Sequence, residues 1–424
     1  MNAIVQASLR PAVAGVLQQH VDDALNLRQT RASLVRAPHV RLRHLLRLDD
    51  QLRARLDGIQ VAGAQGMAVL GATLSSPDRA GVFALAVCAI DAQDSPRLAS
   101  LVALAEGGLA QARTGLVSAM GWVAASSLRG IVKSLLDAPQ PFHQELGLAA
   151  CAIHGVDGGN ALTSAVERGS QPAMDYAAVS GRVDLVEACL AATTHEAPAM
   201  RLAAARAALL LGDRHRAVEC LSELAGGPDA LTAAPALRLL LSVVNAEHAQ
   251  ALLLSNSRAG KGPRLLIQAT GTAGDPHYVP WLIKQMDDLK LARLAGEAFS
   301  MITGLDLALL DLERKPPDRQ ELGPNDDAAD TDVSMDEDDG LPWPDPQRIA
   351  AWWQAHGARF AIGTRYFIGA PPSTAHCLTV LRNGCQRQRS AAAQYLCLLT
   401  PGTPLFNTAA PAWQQQRLLA AMAA

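Results

Sequence analysis

Aromatic residues are scarce in this sequence: Phe, Trp and Tyr together make up 4% of its 424 residues. β-sandwiches and barrels use such residues to fill pleated faces. Their scarcity, beside an excess of Ala, Leu and Val, argues for closely packed helices instead. A dominant charge is missing too. The 37 Lys and Arg face 40 Asp and Glu, a formal net charge of -3, which gives the whole chain no drive toward nucleic acid or an anionic membrane. Apolar runs such as Val82 to Ile90 fall far short of the ~20 residues a spanning helix needs. The N-terminal stretch MNAIVQASLRPAVAG lacks a basic start followed by an unbroken apolar run, so no signal peptide is expected. Seven cysteines form no CxxC pair, and several sit in apolar surroundings, as Cys151 does in LAACAI. They read as small buried thiols in a reducing compartment, not as a disulfide framework. A cytoplasmic protein without a membrane segment is the expectation.

Catalytic signatures are missing as well. There is no HExxH, no GxSxG, no Cys-His signature and no GxxxxGK(S/T); the Gly-Lys-Gly of AGKGP (Ala259 to Pro263) has no strand before it to build a phosphate cradle. His195-Glu196 is the one His-Glu dipeptide, too few for a di-iron site spread over helical repeats. His143, His154, His215, His248 and His277 are scattered near expected turns and read as solvated. No catalytic residue, cofactor or metal ligand is assigned, and the chain is not expected to be an enzyme.

What is present is a repeat. Hydrophobic residues make up 49%, and from Gly81 to Gly304 they fall in Ala/Leu-rich stretches. These are broken near Ala92, Gly121, Gly155, Gly181, Gly212, Asn245, Gly274 and Gly304, about 30 residues apart. Each unit reads as an apolar helix ending at a left-handed C-cap, a tight turn, and a second helix, as in MRLAAARAALLLG followed by HRAVECLSELAG. Neither helix buries its apolar face alone, so the units must stack. This predicts an all-α fold: an α-solenoid of HEAT-like two-helix repeats at 67–315, an N-terminal helical cap at 1–66, an acidic Pro-rich loop at 316–345, and a Trp-rich C-terminal helical segment at 346–424. The array is expected to begin after the glycine-rich piece Gly58 to Gly66. Asp306 to Lys315 is expected to complete a helix stopped by Pro316 and Pro317. Asp345 and Pro346 should cap a helix whose one face carries Ile349, Trp352, Trp353 and His356.

The acidic loop is the candidate partner-binding site. Asp326, Asp327, Asp330, Asp332, Asp336, Glu337, Asp338 and Asp339 crowd together with no compensating cation nearby in sequence. Carboxylates at that density repel one another, and a Lys/Arg-rich partner relieves the repulsion; the bland alternative is a solvated insertion. A calcium loop fails on register, because Met335 falls where the first carboxylate of a DxDxDG pattern must be. Trp343, in GLPWPDP, is either an aromatic interface anchor or a cover for the end of the array. Trp352 and Trp353 read as cover. Eight arginines between Arg28 and Arg55 suggest phosphate binding, but aromatics for stacking are absent there, so no direct nucleic-acid contact is expected.

Several segments carry a resemblance. GDPHYVPWLIKQMDDLKLARLAGEAFSMITGLDL, PNDD, MDEDDGLPWPDP, AAWW and PLFNT, with RAPHVRLRHLLRLDDQLRARLDG near the start, make most of the chain similar to a family of bacterial HEAT-repeat-like proteins. Members of that family are often encoded beside type VI secretion genes and their toxins. The resemblance implies an immunity protein that occludes a cognate type VI toxin, such as a nuclease with a basic cleft. The alternatives are an adaptor that loads an effector onto the secretion spike, and a HEAT-like nucleic-acid enzyme. It transfers no catalytic residue.

Overall fold

The computed structural model describes residues 13–317 and 336–422. The fold is all-α and solenoid-like: helices follow one another in packed succession, and only isolated bridges (Arg41 with Cys385, Glu313 with Pro344, Phe367 with Ala370) interrupt them among the described residues. None of these helices is long and apolar enough to cross a membrane.

Local chemistry sets the repeat. One helix of each pair ends at Asp91, Trp122, Ile153, Ser180, Leu211, Leu241, Ala273 or Thr303, positions about 30 residues apart. Gly181, Gly274 and Gly304 close three of these helices in the left-handed conformation. An Asp or Asn then opens the next helix by accepting its free amides. Asp213 takes those of His215 and Ala217, Asn245 that of His248, and Asp275 that of His277. Between these signals run helices such as Pro198–Leu211, buried at Ala203 to Ala205 and at Ala207 to Leu211. A helix apolar on nearly every side must be packed on nearly every side. This one contacts Gln171–Ser180, Arg216–Gly226 and Ala230–Leu241.

Three expectations change. The glycine-rich piece at Gly58 to Gly66 is helical, within Leu42–Val61 and Gly63–Gly71. Gly121 lies inside Ala110–Trp122, where its missing side chain makes room for Ile153; a Cβ there would sit 2.8 Å from the Ile153 Cγ2. Asp306 to Lys315 is a turn at 307–311 followed by extended chain, not a helix, because Asp311 takes a positive φ of 54° that helical geometry forbids.

The chain divides into two compact units that do not follow the linear segments. The first holds 1–36, 42–161 and 409–424, the second 37–41 and 162–408. In the first, Arg79–Asp91 is buried from Ala80 to Ile90 and packs against Ala14–Leu34, Ser95–Glu106 and Ala110–Trp122. The C-terminal stretch joins it through a buried polar knot. Asp49, 0% exposed, binds Arg31 Nε at 2.5 Å and accepts the Ala412 amide at 2.7 Å. Arg31 in turn donates to the carbonyls of Ala409 and Ala410, at 3.0 and 2.9 Å.

In the second unit, residues 365–405 run past the ends of successive buried helices. The last carbonyls of a helix have no partner within it, and here this segment supplies the donors. Ile368 and Gly369 donate to Met301 and Ile302, at 2.7 and 3.0 Å, and Tyr366 to Gly274 at 2.8 Å. The Arg365 guanidinium reaches the carbonyls of Leu241 and Val244, and the Leu405 amide that of Val179 at 3.0 Å.

Candidate functional site

The acidic segment returns to described structure at Asp336, held by three arginines. Arg264, in the first turn of Pro263–Ala273, grips Asp338 with both terminal nitrogens at 2.8 Å, the fork-on-carboxylate geometry that makes such pairs strong. Arg293, on Ala292–Thr303, binds Asp336 at 2.7 Å and the Asp338 carbonyl at 3.0 Å, and lies 4.9 Å over the Trp343 ring. Arg387 joins Glu297 at 2.7 Å and the Glu337 carbonyl at 3.0 Å. Behind the turn, the Arg314 backbone amide donates to the Trp343 carbonyl at 2.8 Å and the Asp345 amide to the Leu312 carbonyl at 2.9 Å, so the two flanks of the segment pair with each other.

For Asp336 and Asp338 this changes the expectation of uncompensated carboxylates. Asp338 is 4% exposed and Trp343 8%; both are interior groups whose partners come from other helices. Asp336 is committed to Arg293. Glu337, 3.3 Å from Arg264 with its side chain largely in solvent, and exposed Asp339 keep their outward character. Asp326, Asp327, Asp330 and Asp332 lie outside the described residues. Trp352 and Trp353 cover Phe299 edge-on, with centroids 6.2 and 6.5 Å apart, as their helix face implied.

Burial pushes the Asp336 carboxyl up, but the hydrogen bond from Arg293 and the Asp338 amide outweigh it, and the acid is held below its ordinary range. Its folded pKa lies below the unfolded one, so the stability it contributes is present above the ordinary carboxylate range. That contribution is lost as pH falls through the lowered value. Asp336→Asn is expected to cost about 1–3 kcal/mol at neutral pH. In chemical unfolding, the gap from wild type should close on acidification below that range.

Beside this clasp opens a cleft of about 610 Å³ within the second unit. Ala292–Thr303 contributes Glu297 and Ser300, the following turn Asp306 and Glu313, residues 37–41 His39 and Arg41, and Thr374–Asn383 His376. Arg41 pairs with Asp306 at 2.9 Å. Burial raises the Glu297 carboxyl, against the opposing pull of Arg387. Glu313 is half-buried, and its carboxylate has no hydrogen bond or ion pair with a described residue. His376 Nε2 lies 2.7 Å from the Phe367 carbonyl, so that nitrogen carries the proton. Cys385 is the one cysteine that is not fully buried; burial still raises its thiol pKa, which keeps it protonated and poor as a nucleophile. The turn forming one wall continues into Leu309 and Leu310, 81% and 50% exposed.

Sequence reasoning missed this cleft. Its carboxylates are Glu297, Asp306 and Glu313, single acids without a local motif, brought together by the turn after Ala292–Thr303. Among the described residues no group of three or more His, Cys, Asp or Glu side chains is placed to hold a metal ion. No protein-family model matches the chain, and no curated protein matches it significantly.

Proposed function

We propose that this chain is a non-enzymatic protein-binding scaffold whose partner presents a basic segment to the cleft beside Glu313. The observation that carries the reading is one uncompensated acid in the cleft wall: Glu297 is paired with Arg387 and Asp306 with Arg41, whereas Glu313 has no partner among the described residues. A Lys or Arg from a partner supplies the missing charge, and the exposed Leu309 and Leu310 supply apolar contact at the rim, the mixture usual in protein interfaces. Helical arrays of this kind work by holding another macromolecule. The resemblance to proteins encoded beside type VI secretion genes supports a toxin as the partner and immunity by occlusion as the role, in the cytoplasm of the producing cell, with an effector-loading adaptor as the alternative.

Co-expression with candidate type VI toxins tests the role. Cells should survive with the chain and die without it; equal killing would sink immunity. A pull-down with the isolated toxin domain tests the surface. Glu313→Gln combined with Leu309→Ala should weaken capture about tenfold or more, equivalent to at least ~1.4 kcal/mol. Undiminished capture would move the contact elsewhere on the chain.

A further inference from the structure

The first unit has an opening of its own, a cleft of about 490 Å³. Trp122 and Trp413 meet there edge to face, with ring centroids 4.6 Å apart and planes at 83°. Trp122 is 7% exposed, and neither indole N–H has an acceptor among the described residues. The Arg53 guanidinium lies 5.9 Å from the Trp413 ring centre, and Arg417 follows one turn after Trp413 on Ala412–Ala421. Two carboxylates share the lining: Asp57, one turn after Arg53 on Leu42–Val61, and Asp91, at the end of Arg79–Asp91. Arg53, Arg417 and Asp57 make no hydrogen bond or ion pair with a described residue. Asp91 accepts only a 3.4 Å bond from Gln60 Nε2. The aromatic partners that the N-terminal arginines lack in sequence thus arrive from positions 122 and 413.

Two guanidiniums and two carboxylates leave this lining with no net charge. A nucleotide would set its phosphate charge against Asp57 and Asp91, and a polyamine would face Arg53 and Arg417. A molecule with one charge of each sign and an apolar body suits all four groups. Its carboxylate meets the arginines and its ammonium the aspartates. Its side chain lies on the indoles, and a peptide carbonyl takes a free N–H. The volume falls within the ~300–1,000 Å³ of small-ligand sites. We propose that this cleft binds a short zwitterionic peptide with an apolar or aromatic side chain.

The test uses the full chain with ¹⁵N-labelled tryptophan and the dipeptide glycyl-phenylalanine as probe. The Trp122 and Trp413 indole signals, assigned with Trp122→Phe and Trp413→Phe, should shift saturably. Arg53→Gln with Arg417→Gln should weaken binding about tenfold or more, and Asp57→Asn with Asp91→Asn likewise. These four groups are exposed, and an unchanged far-UV circular dichroism spectrum and unfolding midpoint without ligand verify each fold. The probe with its amine acetylated and its carboxyl amidated needs no altered protein, and it should produce no saturable shift. The proposal is overturned if glycyl-phenylalanine gives no saturable shift, if the neutral probe binds as well, or if adenosine monophosphate binds more tightly. None of these results bears on the basic-segment reading, which rests on a cleft of the second unit.

Discussion

Replacing Gly274 by Ala should destabilise the second unit by about 3 kcal/mol or more, a value in the tail of single-substitution effects. The left-handed conformation, φ 73°, accounts for only part of it, because a side chain there costs roughly 1–2 kcal/mol. The larger part is contact. A Cβ would lie 2.2 Å from the Tyr366 carbonyl oxygen and 3.0 Å from the Arg365 Cγ. That stretch cannot yield without losing the Tyr366 bond to Gly274 and the Arg365 bonds to Leu241 and Val244. Gly169 is the internal control. Its φ is 77°, but nothing lies within 4 Å of its Cβ position, so Gly169→Ala should cost only the backbone term, about 1 kcal/mol. A chain of two compact units need not unfold in one step. Hydrogen exchange in Pro263–Ala273 is therefore the better readout, and equal effects of the two substitutions would refute the packing argument.

Asp49→Ala should damage the first unit more. Asp49 is wholly buried and neutralises Arg31, which is itself 6% exposed and holds two carbonyls of the C-terminal stretch. Removing the carboxylate leaves a buried guanidinium without a counterion and the Ala412 amide without an acceptor. Loss of one partner of such a pair costs about 3–5 kcal/mol, a large share of a typical domain's ~5–15 kcal/mol. The chemical unfolding midpoint should fall accordingly, and residues 409–422 should become sensitive to protease under native conditions. A loss below about 1 kcal/mol would mean that water or a neighbouring group replaces the carboxylate.

The sequence announced its helix boundaries because Gly and Asp carry them locally. Gly181, Gly212, Gly274 and Gly304, read as breaks, are all helix C-caps, and Asp345 caps its helix as expected. Gly121 misled, since a glycine that admits a neighbouring side chain looks the same in sequence as one that ends a helix. The acidic segment misled for another reason. Its compensating cations, Arg264 and Arg293, stand 74 and 45 residues from Asp338, and a count of local charge cannot see them. Trp343 is evenly poised in sequence between anchor and cover; in the structure its ring is buried beneath Arg293. The Glu313 cleft left no motif to read, and the pairing of Trp413 with Trp122 depends on a tertiary path that no periodicity encodes.

The knot around Asp49 also constrains the order of events during synthesis. Its partners are separated by up to 379 residues of sequence, so the opening helices leave the ribosome with a carboxylate and a guanidinium awaiting a stretch not yet translated. Domains normally mature from the N-terminal end as the chain emerges, and distant pairings slow the final step. Here the unit begun first is completed after the second, and a chain cut short before position 409 has a first compact body without its last stretch.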